Sequence, residues 1–363
     1  MQYRTNRRTG DKISIIGFGS AYISDAGESN GVKLLETAYE NGINYYDLAA
    51  GAAACFPFYG KAFEGVRDKI MYQIHFGADY TTGEYGWTTD LEKVKKSIDW
   101  QLKSLRTDYI DYGFIHCLDE MADWEQYQKN GIFDHVLSLK EQCVIRHIGF
   151  STHTPVMAET LLDTGVVDML MFSINPGYDF QKGEYAHGSV DERTKLYRRC
   201  EKDGIGISVM KPFSGGQLLS AKTSPFGQAL TQYQCIQYAL DKPGVLSVLP
   251  GVSTMDELKK LLGFCNASPE QRDYSVMGSF DLKDAEGRCV YCNHCQPCPE
   301  GLDVALINKY YDLAMAGDDM AADHYRHLEK KADECLSCGH CTRRCPFHVD
   351  QMERMKAIAG YFA

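Results

Sequence analysis

The chain is short of several things. Its 363 residues include 3 tryptophans and 11 prolines, and 38 lysines and arginines stand against 49 aspartates and glutamates. The resulting net charge of −11 argues against a surface built for nucleic acid or an anionic membrane. No uninterrupted apolar run reaches the ~20 residues that cross a bilayer, so no membrane-spanning segment is expected. The first ten residues are polar and basic, without the apolar stretch of an export signal, and the expectation is a cytoplasmic protein. No G-x-G-x-x-G follows the first apolar strand; Gly17-Phe18-Gly19 is a lone fragment that reads as a tight turn. There is no repeat of solenoid period and no low-complexity tract.

Cysteine, by contrast, is abundant, with 14 residues. In a reducing compartment these are thiols rather than a disulfide framework. Eight of them form two runs: Cys289-x-x-Cys292-x-x-Cys295-x-x-Cys298-Pro299 and Cys335-x-x-Cys338-x-x-Cys341-x-x-x-Cys345-Pro346. Four closely spaced thiolates closed by proline suit the corners of an iron–sulfur cubane better than one tetrahedral zinc ion. Two copies imply two [4Fe-4S] clusters and a route for single electrons. His294 and His340 lie inside the runs and read as neighbours of the cluster sulfurs, not as ligands.

Upstream, apolar strands alternate with amphipathic helical patterns. Strands are expected at 13–17, 43–48, 69–76, 109–116, 145–150, 169–175, 206–210 and 246–250, with a helix capped near Thr89-Asp90. Eight strand–helix pairs predict an α/β fold, a (β/α)8 barrel over residues 1–265. A linker at 266–288 then leads to a small, mainly helical domain at 289–363, whose 304–331 stretch reads as two helices broken near Gly317. In such barrels chemistry gathers at the carboxyl ends of the strands. Those ends carry Asp47, His75, His116, Ser151-Thr152-His153, Asn175, Lys211 and Gly251.

Residues 1–265 resemble the aldo-keto reductase superfamily. The resemblance is carried by the opening to Gly10, Ile16-Gly17-Phe18-Gly19, residues 44–49, Thr107-Asp108-Tyr109-Ile110-Asp111 leading to His116, Ile148-Gly149-Phe150-Ser151 and Leu249-Pro250-Gly251. With the cysteine tail, the whole chain resembles the ferredoxin-fused branch. The resemblance implies a tetrad of aspartate, tyrosine, lysine and histidine, in which tyrosine protonates a carbonyl oxygen as hydride arrives from NAD(P)H. Asp47 and His116 carry over directly. The family's tyrosine lies five residues after the aspartate, where this chain has Ala52; Tyr59, followed by Gly60, resembles a displaced equivalent. His75 stands where the family has lysine, and pairing with Asp47 is expected to supply the missing charge or to make His75 a proton relay. For the nicotinamide nucleotide, the family pattern points to Ser151, Thr152, Asn175, Lys211, Gly251, Ser253 and Thr254. Met171 stands near the family's glutamine, and no basic residue follows Gly251 as far as Glu257. The cysteine runs resemble those of two-cluster ferredoxins, where the fourth cysteine of each run serves the other cluster. That resemblance assigns Cys289, Cys292, Cys295 and Cys345 to one cluster, and Cys335, Cys338, Cys341 and Cys298 to the other.

The expected function is an iron–sulfur oxidoreductase acting on a small carbonyl or alcohol substrate, exchanging electrons with a soluble ferredoxin or flavoprotein. The alternative is an electron-transfer or redox-sensing protein whose barrel has lost hydride chemistry. Hydride donors do not feed single-electron clusters without a splitter such as flavin.

Overall fold

The computed structural model describes every residue except 184, 280–286, 288, 290, 292, 294, 316 and 346. Contacts divide the chain into two compact units, one of residues 1–174, 205–212 and 245–267, the other of residues 175–204, 213–244 and 268–363.

The first unit holds an eight-stranded parallel sheet: β1 (Phe18–Gly19), β2 (Tyr45–Asp47), β3 (Met71–Phe76), β4 (Ile110–Ile115), β5 (Ile145–Thr152), β6 (Met169–Ser173), β7 (Gly206–Met210) and β8 (Val245–Val248). Neighbours in sequence are neighbours in the sheet, and parallel bridges Ile16–Val248 and Gly19–Gly251 bring the last strand back to the first. The sheet is thus an α/β barrel. Its interior is filled by Ile13, Tyr45, Tyr112, Phe114, Met169, Met171, Leu246 and Leu249. The helix Leu91–Leu105 starts where the sequence placed it, with the Asp90 carboxylate accepting from Lys93 N at 2.9 Å.

The first strand differs from expectation. Residues Lys12–Ser14 pair antiparallel with Tyr3–Thr5, and Gly17-Phe18-Gly19, read from sequence as a turn, leads into β1. Its glycines serve close approach: a Cβ on Gly17 would lie 2.5 Å from Leu249 Cδ2, and one on Gly19 2.8 Å from the Leu249 carbonyl oxygen. Closure of the barrel at this seam therefore needs residues without side chains.

The second unit contains the helices Val190–Asp203, Gln232–Leu240, Val304–Met315, Asp319–Arg326 and Gln351–Tyr361. The break near Gly317 is where the sequence predicted it, at φ 87°. Arg193 is fully buried here; its Nε donates to Asp179 Oδ1 at 2.7 Å, and Tyr197 and Tyr238 hydroxyls donate to the same carboxylate at 2.6 and 2.7 Å. Removing one partner strands a buried charge. Arg193→Ala is expected to cost about 3–5 kcal/mol, read as a lower urea midpoint for this unit, whereas an unchanged midpoint would refute the assignment.

Candidate active site

Three strand ends of the barrel build one hydrogen-bonded chain. Asp47 closes β2, His75 lies on β3 and His116 follows β4. His75 Nε2 lies 2.7 Å from Asp47 Oδ1, and His75 Nδ1 lies 2.9 Å from His116 Nδ1. His116 Nε2 in turn lies 2.7 Å from the Tyr85 hydroxyl. Asp47, His75 and His116 are buried, whereas Tyr85 is 43% exposed, so the chain runs from the barrel interior to solvent. One consistent proton pattern has Tyr85 donating to His116, His116 to His75 and His75 to Asp47. Shifting every proton one place reverses it, which is what a relay requires.

Gln73 fixes the inner end. It precedes His75 by two residues and so shares its face of the strand. Its Oε1 accepts from Tyr45 OH at 2.6 Å and Ser208 Oγ at 3.0 Å, which turns its Nε2 toward Asp47 Oδ1 at 2.9 Å. The same nitrogen lies 3.1 Å from Met171 Sδ.

Tyr85 reaches this site from a hairpin, Ala78–Asp79 with Gly86–Trp87. Its loop is tied to the segment after Asp47: Ala52 bridges Glu84, Ala53 N donates to Gly83 O at 2.9 Å and Tyr85 N to Gly51 O at 3.2 Å. Trp87 Nε1 donates to the His116 carbonyl at 3.3 Å. The structure does not bring Tyr59 to this chain. Its ring packs among Tyr46, Phe63 and Tyr72, and its buried hydroxyl has no hydrogen-bond partner. Cys55, nearby in sequence, is buried and its thiol is pushed up to about 12 by burial, so it is a packing group.

Burial, followed by the proximity of His75 and His153, holds the His116 pKa well below the ordinary value for histidine. His116 therefore stays neutral at neutral pH, able to accept on one nitrogen and donate from the other. A depressed folded-state pKa also has a stability consequence. Below about pH 6.5 the unfolded chain binds a proton that folded His116 refuses, so stability falls as pH drops from there, by about 1.4 kcal/mol per pH unit for one group. His116→Gln is expected to flatten this acid-side slope in melting temperature; an unchanged slope would assign it to other groups.

A second network lies on the neighbouring strand ends. Asp119 Oδ1 accepts from Thr152 Oγ1 at 2.9 Å and from His153 N at 2.6 Å, and its Oδ2 lies 2.8 Å from His153 Nδ1. His153 Nε2 lies 2.7 Å from Lys211 Nζ. Burial raises the Asp119 pKa, but the bonds from His153 and Thr152 outweigh it and hold the carboxyl well below its usual range. Cys117 and Lys211 both adopt positive φ, 52° and 54°, a strain that gathers at functional positions. Cys117, Asp119 and His153 offer three ligand atoms within 4.8 Å of one another. Burial and Asp119 push the Cys117 thiol up to about 12, so it is protonated, and the Asp119 oxygens are already held by protein donors.

The expected nicotinamide contacts are engaged elsewhere. Ser151 Oγ accepts from Cys117 N at 2.7 Å, and Thr152 bonds Asp119. Gly251 pairs with Gly19, and a Cβ on it would meet the Tyr22 ring at 2.8 Å. Ser253 N and Thr254 N both donate to Glu257 Oε2, at 2.9 and 3.1 Å, so a carboxylate from the chain itself fills the helix start where a phosphate would bind. In the second unit, Asn175 caps a short turn, accepting from Tyr178 N at 2.9 Å.

Of the cysteines, Cys298, Cys335, Cys338 and Cys341 line one small cavity with Leu302, Val304 and Met355. Cys295 and Cys341 are buried in the apolar core of the second unit. Cys289 lines a separate cavity of about 680 Å³ with Arg198, Asp312 and Arg354. Cys345 is half-buried; Cys292 and His294 lie outside the described residues. His340 lies 3.4 Å from Arg344 Nη1. Four thiols around one cavity are a donor set that fits a cubane cluster.

Gln73, Tyr85 and Asp119 were not picked out from the sequence. Gln73 carried a signal, its position two residues before His75 on a barrel strand. Asp119 follows His116 by three residues within the strand-end loop.

Comparison with known proteins agrees with this architecture. Residues 16–234 match the model of the Aldo/keto reductase family, and residues 286–349 that of a 4Fe-4S dicluster domain. L-galactose dehydrogenase of Arabidopsis thaliana is 24% identical over 299 residues, covering 72% of this chain and 86% of the relative. L-glyceraldehyde 3-phosphate reductase of Escherichia coli O157:H7 is 21% identical over 307 residues, with 72% and 86% covered. The solved structure of an aldo-keto reductase from Bacillus halodurans, in its holo form, aligns with a TM-score of 0.59 at 21% identity, over 75% of this chain and 94% of that one; at this identity the likeness speaks to the fold.

Proposed function

The chain belongs to the aldo/keto reductase family and carries a 4Fe-4S dicluster domain, and from that premise we propose that this oxidoreductase interconverts a small carbonyl substrate and its alcohol with electrons delivered singly. The observation that carries the reading is the Tyr85–His116–His75–Asp47 chain. It ends in a half-exposed phenol at the mouth, and its interior end is held by Gln73. Tyr85 gives its proton to the substrate oxygen. The phenolate is re-protonated along the line: His116 gives a proton at Nε2 and takes one at Nδ1 from His75, so the proton drawn is that of the His75–Asp47 pair, and solvent makes it up once product leaves. His75 in place of the family's lysine supports this, because an imidazole can relay a proton through two nitrogens and an ammonium cannot.

The residues for the clusters are Cys335, Cys338, Cys341 and Cys298 for one, and Cys289, Cys292, Cys295 and Cys345 for the other. Such clusters, when bound, supply electrons one at a time from a soluble ferredoxin or flavoprotein. The groups expected to hold NAD(P)H fit it poorly: the Glu257 carboxylate occupies the donors a phosphate needs, and no basic residue follows Gly251 as far as Glu257.

The test is spectroscopic. Protein purified without oxygen is titrated with NADH, with NADPH and with dithionite. Bleaching of the iron–sulfur absorption by dithionite alone is expected. Bleaching by a nicotinamide would refute single-electron supply from outside, and stoichiometric zinc without iron would remove the clusters altogether.

A further inference from the structure

Reduction of a carbonyl by hydride needs one proton, because the hydride brings the hydrogen that ends on carbon. Reduction by separate electrons needs two: the carbonyl takes two electrons and two protons to become CH–OH, one proton on oxygen and one on carbon. A mouth working with single electrons therefore needs a second proton source, and the second network supplies one. It has its own carboxylate, its own imidazole and its own terminal group at the end of a different strand: Asp119, His153 and Lys211.

The geometry fixes the proton arrangement. Asp119 is ionised and surrounded by donors, so His153 Nδ1 carries the hydrogen that faces it at 2.8 Å. His153 Nε2 is then the acceptor for Lys211 Nζ at 2.7 Å. His153 is 5% exposed. A proton leaving Nζ for the imidazole makes an imidazolium already paired with a carboxylate, and the amine returns to its charged form by the reverse step. Lys211 is held for this in a left-handed backbone conformation, φ 54°, that an L side chain rarely adopts. His116 feels both Lys211 and His153 electrostatically, so the two networks border one site.

We propose that Lys211 is the second proton donor of this mouth, delivering to the substrate carbon while Tyr85 delivers to the oxygen, with His153 and Asp119 as its positioning residues. The step balances with two electrons from a one-electron donor of the iron–sulfur class: the C=O π bond is reduced, Lys211 loses one proton to the carbon and Tyr85 the other to the oxygen, and both protons are made up from solvent once product leaves, with His153 Nε2 and His116 Nε2 holding the two donors in place. The inference rests on the single-electron reading of the preceding subsection.

Its first test needs neither electrons nor substrate. The full protein is acetylated briefly at pH 7 with acetic anhydride, and the rate is read at each lysine by peptide mass spectrometry. Proton sharing with His153 is expected to make Lys211 react about tenfold faster than the solvent-facing Lys96 and Lys259, and His153→Gln or Asp119→Asn to remove the difference. Lys211 reacting in step with those lysines, or keeping its lead in both variants, would overturn the inference and leave the reductase reading standing. The wild-type comparison holds even if a variant fails to fold. A second measurement separates the two claims from the other side. In dithionite-driven turnover of glyceraldehyde in D2O, the product carbon is expected to gain one deuterium. Lys211→Met is expected to cut that turnover at least about a hundredfold, and full turnover in that variant would overturn the role of Lys211. A carbon carrying no deuterium would sink the single-electron reading itself.

Discussion

Tyr85→Phe is expected to lower turnover of a carbonyl substrate by about 10²–10⁴-fold, the range that a lost general acid typically costs. The hydroxyl is the only group removed, and it is the atom 2.7 Å from His116 Nε2. Binding should change little, so the loss falls on kcat rather than KM. Tyr59→Phe is the matched control. Its hydroxyl is buried without a partner, so deleting it should leave turnover within about twofold and stability unchanged or up by about 1 kcal/mol. If Tyr59→Phe abolished turnover and Tyr85→Phe did not, the assignment of the phenol would be reversed.

The second large effect concerns the cysteines. Cys298→Ser and Cys335→Ser are each expected to lower iron from about eight to about four atoms per chain, and to remove the same paramagnetic signal from the reduced protein. Cys298 belongs to the first run in sequence but shares its cavity with Cys335, Cys338 and Cys341 of the second. Cys345→Ser is expected to remove the other signal. Were Cys298→Ser and Cys335→Ser to delete different clusters, the crossed ligand sets would be wrong. Metal content and low-temperature electron paramagnetic resonance read both outcomes.

What the sequence carried was whatever depends on short spacing. The cysteine runs declare themselves because a cubane needs four sulfurs close together. The barrel strands stand out because buried parallel strands are continuous apolar runs. Asp47, His75 and His116 could be picked because strand ends are where barrel chemistry gathers. Tyr85 was hidden for the opposite reason. Its approach to His116 depends on a hairpin that pairs with Gly51–Ala53 across the mouth, a tertiary contact with no local pattern. The segment after Asp47 offers Tyr59 instead, which helix Phe56–Ala62 carries into an aromatic core. Gly17-Phe18-Gly19 misled in a related way, since glycines that permit close strand approach resemble glycines that permit a turn. Glu257 was visible as an acid near the expected phosphate site, but that it caps Ser253 and Thr254 is a fact of three-dimensional geometry.

The comparisons bear on the fold and family and leave the chemistry to the site. The solved Bacillus halodurans reductase shares the fold, and in this chain a histidine pair stands between the aspartate and the phenol. A proton line of this kind, beside a second one ending in Lys211, suits a reaction in which protons and electrons arrive separately.

The most direct measurement is a single turnover. The protein is reduced with dithionite without oxygen, freed of excess reductant and mixed with a small carbonyl compound in a stopped-flow instrument. The account predicts that the iron–sulfur absorption returns as the alcohol forms, one alcohol for every two electrons, and that Tyr85→Phe slows both together. Clusters that stay reduced while NADPH alone converts the same compound would contradict it.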